Sequence, residues 1–77
     1  HTLLAEDVHL ISLPALTVPL RVTAKTRYSQ AESPALLEPA GDSRIRLTFD
    51  RPQRAVTPGQ AVVFYQGDVV VGGGTIV

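Results

Sequence analysis

The 77-residue sequence has a formal net charge of zero, 44% hydrophobic and 18% charged residues, and no cysteine. This length favours one small domain with a thin core, and the lack of cysteine excludes a disulfide framework, a thiolate zinc site and thiol catalysis. The apolar runs are too short to span a bilayer, so we expect a soluble domain over residues 1–77 with no membrane partner. Because the sequence begins with His1 rather than Met, we also expect a piece of a longer protein without a targeting segment.

The predicted elements are β-strands, because apolar and polar residues alternate with period two and no window has a helical period over three turns. Asp7–Leu13 is an apolar, β-branched run that Pro14 ends, which predicts an early strand. Leu20–Ser29 and Arg44–Asp50 alternate most clearly, with cations on the polar side of each. Ala31–Gly41 contains two prolines and is interpreted as a loop with at most a short strand.

The C-terminal third predicts a turn followed by a hairpin. Thr57–Gln60 has the Pro-Gly centre of a type II turn. Gln60–Tyr65 and Asp68–Val71 are two β-rich runs joined by Gln66-Gly67, and a two-residue connection with Gly is typical of a hairpin. About six short strands predict an all-β fold, a small closed antiparallel barrel without exposed edges. The residues predicted to form its core are Val22, Ala24, Ile45, Leu47, Phe49, Val62 and Phe64.

Positive charge is concentrated in the middle of the chain. All seven cations lie between residues 21 and 54, where there are four acids, so this segment has an excess of three positive charges. On the outer side of strands these cations either keep the protein soluble or bind phosphate, for which arginine is well suited. Tyr28 and Tyr65 are the aromatic candidates for base stacking. The candidate RNA-binding residues are Arg21, Lys25, Arg27, Arg44, Arg46, Arg51 and Arg54.

The sequence offers no catalytic or metal-binding constellation. His1 and His9 are the only histidines, and neither has a serine or carboxylate at a spacing that would indicate a catalytic pair. Gly72-Gly73-Gly74 is not followed by a lysine or a helix, as a phosphate-binding loop would be. We interpret the three glycines as a place of close backbone packing or a strand bend. The expected catalytic, cofactor and metal sites of this chain are therefore none.

Two stretches of the sequence resemble one known family. The first is Pro52–Tyr65 (PQRAVTPGQAVVFY), with Gly67-Asp68 and Gly72–Ile76 (GGGTI) after it, and the second is Ala24–Gln30 (AKTRYSQ). Both are similar to the C-terminal β-barrel of bacterial-type tRNA-specific 2-thiouridylases, the MnmA/TrmU family. The resemblance implies a barrel similar to the second domain of translation elongation factors.

The resemblance also implies the chemistry of the parent enzyme. Such an enzyme uses ATP with Mg²⁺ to activate the 2-oxygen of the wobble uridine of certain tRNAs, then replaces it with sulfur from a persulfide donor. The family's nucleotide-binding loop and catalytic cysteines belong to its N-terminal domain, and no position of this chain matches them. The implied partners are the tRNA anticodon arm, the parent's own N-terminal catalytic and central domains, and a sulfur-relay protein. The implied location is cytoplasmic.

Three interpretations stay open from the sequence. The barrel docks tRNA through its cations while another domain does the chemistry, or it is a structural module that packs against its own enzyme's domains with little RNA contact. A related barrel of folate-dependent aminomethyltransferases would share the Pro-Gly-Gln turn, although it explains the glycine-rich ending less well.

Overall fold

Six antiparallel strands close into a barrel in the computed structural model, which describes residues 2–12, 16–26, 32–41, 43–52 and 57–77. Their order around the barrel is β1-β4-β3-β2-β5-β6, and β6 pairs with β1 to close it. The predicted all-β class and closed antiparallel barrel are confirmed. The strands are β1 (Thr2–Leu10), β2 (Leu20–Thr26), β3 (Ser33–Pro39), β4 (Ile45–Phe49), β5 (Ala61–Gln66) and β6 (Val69–Ile76).

The core fills the inside of the barrel with side chains from every strand. Along β4, for example, Ile45, Leu47 and Phe49 are buried while Arg46 is exposed. All seven residues predicted for the core are buried, and Phe64 is fully so. Alternate residues of a strand point to opposite sheet faces, so the outer surface carries the polar half of each pattern. Among the described residues, the buried core consists of Leu3, Ala5, Val22, Ala24, Ala35, Leu37, Ile45, Leu47, Phe49, Val62, Phe64, Val71 and Ile76.

The first strand begins earlier than predicted and contains a bulge. β1 starts at Thr2 and ends at Leu10, whereas the sequence pattern favoured Asp7–Leu13. The register of β1 against β6 shifts between Glu6 and His9, and Asp7 within this interval has a φ of 51°. A bulge puts an extra residue into one strand and interrupts strict alternation, which explains why the pattern around Asp7 was misleading.

The segment predicted as a loop forms the strand that connects the two cation-bearing strands. β3 pairs with β2 on one side and with β4 on the other. Ala35 and Leu37 of β3 are fully buried. Its prolines, Pro34 and Pro39, lie near the two ends of the strand, where the loss of a ladder donor is tolerated. The sequence predicted a loop with at most a short strand over Ala31–Gly41, and the structure has a full seven-residue strand, Ser33–Pro39, within the described part of that range.

The turn chemistry of the C-terminal third was predicted closely. Gly59 has a φ of 92°, and the amide of Gln60 donates to the carbonyl oxygen of Thr57 over 3.4 Å, as expected for the Pro-Gly turn. Gly67 has a φ of 58°, which confirms the positive φ expected there. The two-residue connection is Gly67-Asp68, one position later than predicted, because β5 ends at Gln66 and β6 begins at Val69. β6 continues to Ile76.

The barrel has two ends that differ in their connections. We call the end that bears the Gly67-Asp68 turn the hairpin end. β1 and β3 finish there, and β2 and β4 start there. The opposite end carries the finish of β4 and the Pro58-Gly59 turn that leads into β5. Within the described ranges, no helix is long and apolar enough to cross a membrane.

Candidate nucleic-acid interface

The described residues include five of the seven predicted RNA-binding cations. Arg21 and Lys25 are exposed on the outer side of β2, because their neighbours Val22 and Ala24 point into the core. Arg46 is exposed on the outer side of β4. Two further exposed arginines flank β4, and Arg27 and Arg54 lie outside the described residues. The flanking residues are Arg44, just before the strand, and Arg51, two positions after it.

The two cation-bearing strand faces do not adjoin, because β3 lies between β2 and β4. Ala24, next to Lys25, pairs with Ser33, whereas Arg46 pairs with Glu38. Ser33 and Glu38 are five residues apart, which is about 17 Å along a strand, and strands two apart in a sheet are separated by about 10 Å. Lys25 and Arg46 are therefore at distant points of the outer surface, and the single positive strip that adjoining faces would make is not formed by the described residues.

Arg21 is already held by a carboxylate of the barrel itself. Its Nη2 lies 2.6 Å from Asp50 Oδ2 and its Nη1 lies 3.0 Å from Asp50 Oδ1, which is a bidentate ion pair. Both side chains remain exposed. The hydrogen bonds from Arg21 lower the pKa of the Asp50 carboxyl, and the charges of Arg21 and Arg51 act in the same direction. The same hydrogen bonds raise the pKa of Arg21.

Arg44 also faces an acid. Its Nη2 lies 3.5 Å from Glu6 Oε2, in an exposed and longer ion pair across β1 and β4. A pair of this kind is weak and exchanges readily with solvent or with a phosphate.

Lys25 and Arg46 differ from the paired arginines. Neither has an ion pair or a side-chain hydrogen bond to another described residue, and both are exposed. Arg46 has Leu4 of β1 on one side and Glu38 of β3 on the other. A cation without an internal partner binds a phosphate without first giving up an existing ion pair, so these two residues are the best placed of the described cations for phosphate contact.

Tyr65 lies on the outer side of β5, between two shallow grooves. One groove, of about 400 Å³, is lined by Arg21, Thr23, Pro34, Tyr65 and Gln66 among others. The second, of about 300 Å³, is lined by Lys25, Thr26, Ala61, Val63 and Tyr65. Sequence reasoning singled out Tyr65 together with Tyr28, which lies outside the described residues, but missed the grooves. No signal in the sequence indicates them, because they depend on the pairing of β2 with β5.

The glycine triplet and His9 are explained by strand packing. Gly72 pairs with Leu10 and Gly73 pairs with His9, and a side chain at Gly72 would collide with the carbonyl oxygen of His9. This confirms the predicted close backbone packing. The triplet lies inside β6 and does not fit a phosphate-binding loop, which needs free backbone amides before a helix. Among the described residues, no group of three His, Cys, Asp or Glu is placed to hold a metal ion.

Comparison with known proteins supports the resemblance seen in the sequence. The chain is 57% identical over 74 residues to the tRNA-specific 2-thiouridylase MnmA of Acetivibrio thermocellus, which covers 96% of the chain. It is 53% identical over 75 residues to MnmA of Halothermothrix orenii and 51% identical over 76 residues to MnmA of Pectobacterium carotovorum, which cover 97% and 99% of the chain. In each case the chain spans only 21% of the length of the relative.

The profile of the aminomethyltransferase beta-barrel domain family matches residues 1–76, almost the whole chain. That family name matches the third interpretation left open by the sequence, a barrel related to aminomethyltransferases. The relatives above, in contrast, are named 2-thiouridylases. The resemblance to the barrel of tRNA-specific 2-thiouridylases is confirmed by this agreement over almost the whole chain. The chain belongs to the aminomethyltransferase beta-barrel domain family, as the barrel found in tRNA-specific 2-thiouridylases.

Proposed function

We propose that this barrel docks tRNA for an enzyme that makes 2-thiouridine at the wobble position. The observation that carries the proposal is the presence of two exposed cations, Lys25 and Arg46, that have no ion-pair partner among the described residues, whereas Arg21 and Arg44 are paired with acids of the barrel. The relatives that match nearly the whole chain are named tRNA-specific 2-thiouridylases. A module of such an enzyme that displays unpaired cations is suited to holding the phosphate backbone.

The barrel contributes position rather than chemistry in this proposal. In this proposal ATP with Mg²⁺ and the persulfide sulfur donor are used by the other domains of the parent, as the resemblance to the 2-thiouridylases implies. The partners of this chain are then the anticodon arm of tRNA and the parent's own catalytic and central domains, with the sulfur-relay protein reached through the parent. The parent works in the cytoplasm, where its tRNA substrates are found.

Charge reversal tests the docking role in the full-length enzyme. We expect Lys25→Glu and Arg46→Glu, singly and together, to weaken tRNA binding. Each variant should reduce the slope of log K against log salt by about 0.7 to 0.9 for each phosphate contact that is lost. Both positions are exposed, so the melting temperature should change little. Binding is measured by titration of labelled tRNA across a salt series.

The matched control is Asp68→Asn in the exposed β5–β6 turn, which changes charge at the hairpin end without removing a cation. If the double variant bound tRNA as tightly as the unmodified enzyme at every salt concentration, the docking role would be wrong.

A second function, interdomain packing, is favoured by a specific observation. Three large apolar side chains at the hairpin end are strongly exposed, namely Ile11 at 72%, Val18 at 63% and Val69 at 55%. The Ile11 amide donates to the Val71 carbonyl oxygen over 2.8 Å, which places Ile11 beside the start of β6, where Val69 lies. Exposed apolar groups concentrated at one place mark contact surfaces. This end is therefore the candidate surface for another domain of the parent.

A further inference from the structure

We infer that the outer face of β2 and β5 around Tyr65 binds unpaired nucleotides of the RNA, with Tyr65 stacking on a base and Lys25 contacting a neighbouring phosphate. This inference rests on the proposed docking of tRNA and adds which part of the RNA is held and by which residues. Stacking on an aromatic side chain together with a nearby cation is the usual way in which proteins hold single-stranded nucleic acid.

The position of Tyr65 makes it the central feature of this face. Tyr65 pairs with Thr23 of β2, and Phe64 beside it points into the core, so the Tyr65 ring is on the outer side. It forms a wall of both grooves described above. A base that lies on the ring would extend into a groove on either side. Among the described residues, the Tyr65 hydroxyl has no hydrogen-bond partner that would explain an outward tyrosine on structural grounds.

The neighbours of Tyr65 on the outer face limit the freedom of its side chain. Thr23 lies in the outer row between Pro34 of β3 and Tyr65 of β5. Its hydroxyl oxygen is inaccessible to solvent and has no hydrogen-bond partner in the described structure. The neighbouring side chains therefore cover the Thr23 hydroxyl, and Tyr65 is half-buried, so part of its side chain packs on the barrel while the rest lines the two grooves. A ring held in this way loses little conformational freedom when a base stacks on it.

The polar groups of the two grooves have different roles. On the side of the larger groove, the guanidinium of Arg21 is held by Asp50, and Gln66 Nε2 donates to the Arg21 carbonyl oxygen over 3.1 Å. These side chains are held by contacts with other residues of the barrel's outer surface. On the side of the smaller groove, Lys25 pairs in register with Val63, two residues from Tyr65, and has no ion-pair partner among the described residues. Lys25 is therefore the group available for a phosphate next to the stacked base.

The same arrangement favours a loop over a double helix. A duplex presents rows of phosphates and keeps its base faces stacked internally, so it would use several cations and no aromatic ring. The described cation nearest to Tyr65 without an internal partner is Lys25, while Arg46 is two strands away from β2. One aromatic ring and one available cation match one or two unpaired nucleotides.

The test compares two RNA probes on the full-length enzyme that carries this barrel. The probes are an anticodon stem-loop and a fully paired stem of the same length. We expect Tyr65→Leu, which keeps an apolar cover over Thr23, to weaken binding of the stem-loop by about 5- to 160-fold and to leave the paired stem unaffected. The salt slope should stay unchanged, because stacking releases no counterions. Tyr65→Phe and Tyr65→Trp retain a stacking surface and should bind the stem-loop nearly as well as the unmodified enzyme.

The outcomes separate this inference from the docking proposal. If Lys25→Glu and Arg46→Glu weaken binding while Tyr65→Leu binds the stem-loop normally, docking stands and the stacking site is wrong. Equal loss on both probes would also overturn it. A measurement without mutation uses a stem-loop carrying 5-iodouridine, whose photo-crosslinks to the unmodified enzyme are located by mass spectrometry. Crosslinks elsewhere on the barrel and none at Tyr65 would overturn the inference even if Tyr65→Leu failed to fold.

Discussion

Arg21 and Lys25 show how two cations on one strand face acquire different roles. Both are exposed on the outer side of β2, four residues apart. Arg21 donates from both terminal guanidinium nitrogens, Nη1 and Nη2, to Asp50, which is 29 residues later in the sequence, whereas Lys25 has no ion pair among the described residues. Asp50 reaches Arg21 only because β3 brings the end of β4 within two strands of β2. Tertiary pairing therefore decides which of the two charges is left without a partner in the barrel.

The Arg21–Asp50 pair makes stability depend on pH in a predictable direction. Because the pKa of Asp50 is lower in the folded protein, the stabilisation is complete above the unfolded carboxyl pKa of about 3.9 and is lost as pH falls through the lower folded value. We expect Asp50→Asn to lower the melting temperature at neutral pH and to match the unmodified chain in strong acid. Thermal melts from pH 7 downward measure this.

The control for this experiment is Asp68→Asn, which removes an exposed carboxylate that has no ion pair among the described residues. The difference in melting temperature between Asp68→Asn and the unmodified chain should not be lost between pH 5 and strong acid. A melting difference for Asp50→Asn that stayed constant at every pH would show that the ion pair does not stabilise the barrel.

At the scale of elements, the closing contact between β1 and β6 depends on glycine. β6 runs from Val69 to Ile76 and pairs with β5 on one side and with the bulged β1 on the other. At Gly72 the backbone of β1 lies so close that a Cβ would overlap the His9 carbonyl oxygen. Backbone atoms that belong to a hydrogen-bonded strand cannot move away as the end of a flexible side chain can. β1 and β6 form the seam that closes the barrel, and they can approach this closely because Gly72 has no side chain.

Gly72→Ala should therefore destabilise the barrel by about 1–3 kcal/mol or more, because it overfills the seam. The free energy of unfolding is measured by urea denaturation of the domain. Thr75→Ala serves as the control on the same strand, since it shortens a half-buried side chain without adding atoms to the seam. Equal stability of Gly72→Ala and the unmodified domain would mean that β1 and β6 are not in the close contact described.

At the scale of the whole molecule, different regions of the surface carry different chemistry. The face of β2 and β5 displays Lys25 and Tyr65, whereas the hairpin end displays Ile11, Val18 and Val69. The chain spans 21% of the length of the MnmA relative from Acetivibrio thermocellus. In a protein of that size, a barrel that docks RNA with one surface and packs against a neighbouring domain with another would combine both proposed functions.

The apolar end can be tested by comparing the full-length enzyme with the barrel alone. We expect Ile11→Ser together with Val69→Ser to leave the stability of the isolated barrel almost unchanged, because exposed positions usually change it by less than about 0.5 kcal/mol each. In the full-length enzyme, the same changes should loosen the barrel and make its junction with the other domains more sensitive to protease. Limited proteolysis followed by mass spectrometry measures this. Full-length protein that resists protease as before would exclude the hairpin end as the packing surface.

The sequence by itself determined the strands whose alternation is unbroken, and with them the inner residues of the barrel. Val22, Ala24 and Phe64 were placed correctly because side-chain direction depends only on the local period of the strand. The Pro58-Gly59 turn was placed correctly because its backbone angles depend on those residues alone. The family resemblance was also available from contiguous residues.

Only the tertiary structure decided the contacts between residues that are distant in sequence. The bulge at Asp7 and the prolines of β3 disguised two strands, because pairing partners rather than local propensity hold such segments in a sheet. The proposed site depends on the same long-range pairing. β3 separates the cations of β2 from those of β4, Asp50 binds Arg21, and β5 brings Tyr65 beside Lys25. No local pattern contains that information, because barrel closure alone sets which outer side chains become neighbours.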